Sequence, residues 1–287
     1  MAAATVGSMK GNRALPLWLV LVLPGILLVV GVMVLPLVDM VVISFRHSSF
    51  GQILPGFTLA NYIGLFTEPA NLTLFANTFM SAAAVTVLCA VLGFPVAVVI
   101  TNASPRWRGV LYFLVAAPLL VNTVVRTYGW LLILGRKGLI NDILMASGFI
   151  DEPLALTGNY LGMIIGGTQV FLPFMILSLA TSLMGIDRRL LEAGDILGAT
   201  ELRKFFTITL PLAMPGLIAG SVLVFSLMLG AFVTPLILGG TAIKYISVSV
   251  YTDALVLFNL PRATALSLIL MVTVLVVYFI QKRLSGR

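Results

Sequence analysis

The amino-acid sequence predicts an all-α polytopic membrane protein, six transmembrane helices in one bundle with both termini in the cytoplasm. Three observations carry that prediction. Hydrophobic residues make up 60% of the 287-residue chain and charged residues 9%, with a mean hydropathy of +1.13, where a soluble domain carries about 25% charged residues. Six charge-free windows divide the chain: 14–38, 69–105, 109–125 (continuing past Arg126 to Gly135), 153–186, 205–243 and 263–281. Even the shortest span read from them, the 19 residues of 263–281, covers ~28 Å as a helix, close to the hydrocarbon thickness of a bilayer. The third observation is the asymmetry of the basic residues. With the N-terminus inside, the cytoplasmic segments carry Lys10, Arg13, Arg106, Arg108, Arg188, Arg189, Arg203, Lys204, Lys282, Arg283 and Arg287, and the outer segments only Arg46, Arg136, Lys137, Lys244 and Arg262. Basic residues collect on the cytoplasmic side of membrane proteins.

The first window follows Lys10 and Arg13 as a signal peptide would. Its 25 residues exceed an h-region of about 7–15, and no A-x-A site with a polar follow-on appears, so it is read as a retained span. Residues 1–13 are then a cytoplasmic tail and 14–287 a single transmembrane domain, with spans at about 15–43, 72–101, 109–134, 160–184, 213–239 and 263–281. Three outer segments, 46–71, 135–159 and 245–258, are rich in turn formers or mildly polar residues and form an outward cap. A short helix is expected from Asn141 to Phe149, and 245–258 reads as re-entrant or interfacial.

Other classes are excluded on composition. The net charge of +7 and pI near 9.9 do not mark a nucleic-acid binder, because the basic residues sit at the ends of apolar runs. One cysteine, Cys89, and one histidine, His47, provide neither a disulfide nor a metal cluster, and no cofactor is implied. There is no G-x-x-x-x-G-K-[ST] run for ATP, no H-E-x-x-H and no G-x-S-x-G. The chain is not expected to be an enzyme.

Between the fourth and fifth spans lies a polar island, 187–211, read as cytoplasmic. Asp187 is placed to cap a helix starting at Arg188, its carboxylate favoured at the positive end of the helix dipole. Leu190, Ala193 and Leu197 recur at helical spacing. Gly194 and Gly198 would each cost about 1 kcal/mol inside a helix, which argues for a close approach or a bend, and Pro211 is expected to end the helical run.

The order Glu192-Ala193-Gly194, then Gly198, Ile208 and Leu210-Pro211 closely resembles the EAA signature of the permeases of binding-protein-dependent ABC importers, with Gly194 where the pattern more often has Ala. Away from it, 122–135 (NTVVRTYGWLLILG), 138–141, 170–177 (VFLPFMIL) and 230–240 (GAFVTPLILGG) look like the spermidine/putrescine branch of that family. The resemblance covers roughly 70–280. It implies a type I ABC importer permease-like bundle in the bacterial inner membrane, working with two ATP-binding subunits, a second homologous permease (a heterodimer in this branch) and a periplasmic solute-binding protein. It also implies that Asp187, Glu192, Ala193, Gly194, Gly198, Leu210 and Pro211 belong to the segment that couples the permease to its ATPase.

For the translocation path the sequence leaves alternatives open. Arg126, the one basic residue inside a span, either snorkels to the outer surface or lines the path. Asn122, Gln169 and Ser226 either bridge helices or line it. Phe171, Phe174, Phe225 and Phe232 either pack or present aromatic faces to an amine-bearing solute such as a polyamine or opine. The alternative function is a stand-alone secondary transporter. Such a carrier needs ionisable residues near mid-membrane, and this chain offers only Arg126 and Asp39, both near an interface.

Overall fold

The computed structural model describes residues 17–49, 51–240 and 243–285; the expected tail with Lys10 and Arg13 lies outside them. Helix α1 (Leu17–Ser44) packs chiefly against the last helix and leaves its apolar window unburied, as a lipid-facing span does. A small antiparallel hairpin, β1 (His47–Ser49) and β2 (Gln52–Leu54), and α2 (Ala60–Thr67) follow. Asn61 Nδ2 ties α2 to the end of α1 by donating to the Ser44 and Arg46 carbonyls at 2.8 and 2.9 Å.

The core is three helices: α3 (Pro69–Asn102), α7 (Tyr160–Met184) and α10 (Leu210–Leu229). Their facing sides bury Val85, Cys89, Ala97, Met175, Leu179, Ala213, Val224 and Met228. Lipid tails are as apolar as these side chains, so helices associate through close packing and interhelical hydrogen bonds. Gly216 shows both: a Cβ there would fall 2.4 Å from Ser182 Cβ and 2.8 Å from the Ser178 carbonyl oxygen, and Ser178 Oγ donates to the Gly216 carbonyl at 2.8 Å.

The third span departs from the straight helix expected over 109–134. Helix α4 (Pro105–Ala116) runs into a 3₁₀ turn (Ala117–Leu120), the chain extends at Val121, and α5 (Thr123–Leu134) restarts. The two halves are bent by 94°. Pro118 lacks the N–H that would continue the helix, and Asn122 caps the new one, its Oδ1 accepting from the Val124 N–H at 2.8 Å. Beyond α5 comes α6 (Leu139–Ala146), two residues before the short helix expected from Asn141.

The fifth span is displaced from the expected 213–239. Helix α9 (Glu201–Lys204) passes through a π-helical turn (Phe205–Thr209) into α10, so one helical rod runs from Glu201 to Leu229. Pro211 therefore does not end the helix; the wider turn before it lets the rod pass the missing N–H, as π adjustments do in membrane helices. At the other end Gly230 caps the rod, and Pro235–Gly239 forms a separate π turn.

The outer stretch expected to be re-entrant or interfacial is helical: α11 (Ile246–Tyr251) and a π turn (Thr252–Val256), followed by α12 (Leu260–Ser285). It is bolted to the core: the Ile246 N–H donates to Thr78 Oγ1 at 3.0 Å and the buried Tyr245 hydroxyl to the Met228 carbonyl at 2.6 Å. Among the described residues five helices are long and apolar enough to cross a membrane, and the count is six with the bent pair taken as one span.

Candidate coupling site

At the basic end of the bundle, α8 (Arg188–Ile196) stands between α7 and α9. Asp187 begins it, Oδ1 accepting from the Arg189 N–H at 3.0 Å. Its far end is a Schellman motif: the Gly198 N–H donates to the Asp195 carbonyl at 2.9 Å and the Ala199 N–H to the Gly194 carbonyl at 3.0 Å. That closure needs a left-handed residue, and Gly198 has φ +72°. The two glycines thus do different jobs. Gly198 makes the bend. Gly194 is buried where α8 crosses the rod, and a Cβ there would lie 3.2 Å from Ile208 Cδ1 and from Lys204 Cγ. Three positions of the EAA-like pattern therefore make one local unit, Gly194 packing against Ile208 and Gly198 closing the helix beside them.

An ion cluster locks the unit. The Lys204 ammonium, its side chain 9% exposed, pairs with Asp195 on α8 and with Glu201 Oε1 at 2.6 Å. In the sequence Lys204 is one of the basic residues that set the charge asymmetry, and nothing in its spacing from Asp195 announces that the two meet. Leu190, Ala193 and Leu197, expected as an apolar stripe of the helix, are exposed, with Leu197 already beyond the last helical turn. Ile196 and Leu197 are 86% and 85% exposed, and Glu192 is exposed beside them. Leu210 and Pro211 lie apart from this face, at the entry of α10.

The path candidates are scattered by comparison. Asn122 serves as a helix cap. Arg126 is half-buried, and its Nη1 donates back across the bend to the Pro118 carbonyl at 2.9 Å. Together they staple the kink, and Asn122→Ala is expected to lower stability by about 1 kcal/mol, the usual worth of such a cap, while Asn122→Asp holds it. Thermal unfolding in detergent checks this, and equal stability of Asn122→Ala and the parent would remove the cap from the account. Gln169 accepts from Trp130 Nε1 at 3.1 Å, bridging α5 and α7. Phe171 belongs to the chain's own core at 8% exposure. Phe174 and Phe225 are half-buried beside it, Phe225 stacked on Phe79 at 6.5 Å between ring centres, and Phe232 lies 4.8 Å from Tyr251. Ser226 is half-buried on the same helix as Phe225.

Long apolar helices with a doubly capped, exposed helix at the basic end of the bundle are the arrangement of a polytopic membrane protein. The sequence pattern of the family described as "Binding-protein-dependent transport system inner membrane component" matches residues 90–287. Over 233 residues the chain is 34% identical to the spermidine/putrescine transport system permease protein PotB of Haemophilus influenzae, covering 80% of this chain and 81% of that one. It is 33% identical over 249 residues to the inner membrane ABC transporter permease protein YdcU of Escherichia coli, covering 82% and 78%. A bacterial alginate ABC transporter, solved with an alginate pentasaccharide-bound periplasmic protein, has the same fold at a TM-score of 0.74 and 19% identity, over 93% of this chain and 94% of that one. The chain belongs to the family of binding-protein-dependent transport system inner membrane components. It is a multi-pass inner-membrane permease subunit of an ABC importer, from a family of transport proteins rather than enzymes.

Proposed function

We propose that this chain forms half of the path of a two-permease importer for a small amine-bearing solute of polyamine or opine type, and that 187–211 seats it on a separate ATP-binding subunit. The observation that carries the coupling claim is α8: a nine-residue helix capped at both ends and pinned by Lys204 to the rod that crosses the membrane, with Glu192, Ile196 and Leu197 turned outward. Two ATP-binding subunits, a different but homologous permease and a periplasmic solute-binding protein complete the assembly in this reading. The path runs between α7 and α10 of the two permeases, with Gln169, Phe174, Phe225, Ser226 and Phe232 as lining; Phe171 contributes packing behind it. The spermidine/putrescine relative supports the cargo. So does the chemistry, since aromatic faces and amides hold an ammonium without a buried counter-charge and its desolvation cost.

The chain has no phosphate-binding loop, so in isolation it is expected to hydrolyse no ATP, and hydrolysis is expected only in complex with an ATPase subunit. The test is reconstitution: the purified chain alone, then the full assembly in vesicles with labelled spermidine. ATP turnover by the isolated chain after stringent purification would overturn the division of labour. Uptake of intact oligosaccharide or free phosphate in place of the amine would overturn the cargo.

A further inference from the structure

The end of the bundle opposite α8 holds a cavity of about 540 Å³ between the start of α3, the α11 segment and the first turn of α12. Its wall includes Glu68, Asn71, Ser249, Thr252, Asp253 and Arg262. Asp253 is 2% exposed. One of its oxygens is satisfied: Arg262 Nη1 donates to Oδ1 at 2.8 Å. The guanidinium's other arm is spent on Asn71 Oδ1 at 2.9 Å, and the Asn71 amide donates in turn to Glu68 Oε2 and the Gly64 carbonyl, both at 3.0 Å. Asp253 Oδ2 has no hydrogen-bond partner among the described residues.

A buried carboxylate oxygen without a donor costs free energy, and native proteins rarely leave one. Burial also pushes the Asp253 carboxyl above its ordinary range, with Arg262 pulling the other way, so the single guanidinium does not fully compensate it. The Arg262 and Asn71 donors nearest the carboxylate are used, while acceptors remain. Thr252 Oγ1 donates to the Val248 carbonyl at 2.9 Å, which leaves its lone pairs free to accept, and the exposed Glu68 adds a second carboxylate to a lining that also includes Lys244. Convergent acceptors around an incompletely paired carboxylate suit a group that only donates, and a primary ammonium has three such N–H bonds. The wall is also preformed, because the α11 segment is held to Thr78 and Met228 before any ligand arrives, which lowers the ordering cost of binding.

We propose that this outer cavity is a docking point for a primary ammonium group of the cargo, with Asp253 Oδ2 as its acceptor and Glu68 at the entrance, used before the solute enters the path between the helices. The assignment rests on the amine-cargo reading. It is tested by equilibrium binding of labelled spermidine to the complete permease–ATPase complex in lipid nanodiscs, without nucleotide and without the solute-binding protein. Saturable binding is expected. Asp253→Asn should weaken it about tenfold, equal to ~1.4 kcal/mol, and Glu68→Gln less, with the thermal midpoint of Glu68→Gln unchanged. Should Asp253→Asn fail to assemble, the parent complex decides: a spermidine methylated to a quaternary ammonium at every nitrogen, which keeps the charge but has no N–H donors, should bind at least tenfold more weakly. Equal binding of the methylated and native amines, or spermidine affinity unaffected by Asp253→Asn in an assembled complex, would overturn the proposal. Amine uptake with Asp253-independent binding defeats this inference alone. Uptake of a different solute class, with Asp253-dependent spermidine binding intact, defeats the cargo reading and with it the transport role of the cavity, leaving only an ammonium site.

Discussion

Gly198→Trp should insert at the parent's level and cut solute uptake at least a hundredfold. Two effects combine. Gly198 sits at φ +72°, where an L side chain costs roughly 1–2 kcal/mol, so the closure that aims α8 is strained. Nothing lies within 4 Å of the position a Cβ would take, so the indole does not disturb the bundle; it projects into the space beside Ile196 and Leu197, where a docked subunit would have to sit. Gly198→Ala carries only the backbone strain and should keep much of its uptake. Glu192→Arg, which reverses charge on the same exposed face, should fall with the tryptophan variant. Membrane abundance, uptake, and ATP hydrolysis by the complex would be measured together. Normal uptake by Gly198→Trp at normal abundance would end the case for docking at α8.

The second large effect is on stability. Gly216→Val should cost about 1–3 kcal/mol, the range for overpacking a close-fitted interior, or prevent folding altogether. The added carbon meets the Ser178 carbonyl oxygen at 2.8 Å, which is backbone and cannot swing aside, so α7 and α10 must separate and the Ser178–Gly216 hydrogen bond is strained with them. Gly109→Ala is the matched control: nothing lies within 4 Å of its Cβ position on α4, and a helix gains about 0.5–1 kcal/mol from such a change. Unfolding in mixed micelles compares the two, and a Gly216→Val protein as stable as its parent would refute the packing account.

Hydropathy and charge asymmetry were enough to read six crossings, because burial in lipid demands long uncharged runs whatever the tertiary detail. The start of α8 was equally legible, since a cap is a local bond between Asp187 and its own helix. The two glycines of the coupling segment announced that something close or bent was there, and the structure assigns closeness to Gly194 and the bend to Gly198. What was lost depends on partners distant in the chain or on small backbone adjustments. The kink at Val121 comes from Pro118, Asn122 and Arg126 acting together, whereas each alone is compatible with a membrane helix. The π turn that carries the rod past Pro211 has no residue signature, so the proline read as a stop. Phe171 and Phe225 are both aromatic in apolar runs, and only packing separates the buried one from the half-buried one. The Lys204–Asp195 pair and the Arg262–Asp253 pair join charges nine residues apart across turns, a separation that no helical or strand period marks.

The unbroken rod from Glu201 to Leu229 has a mechanical consequence. Its 29 residues span ~43 Å at 1.5 Å per residue, so a tilt of about 5° about the end beside α8 sweeps the other end through ~4 Å at that length. A stiff shaft delivers that stroke without waiting for intermediate side chains to repack. Its near end is clamped to α8 through Lys204, and its far end stops at Gly230, two residues before Phe232, and is fastened to the α11 segment by Tyr245. Small angular play at one face of the membrane is thereby converted into a displacement the width of an ammonium group at the other.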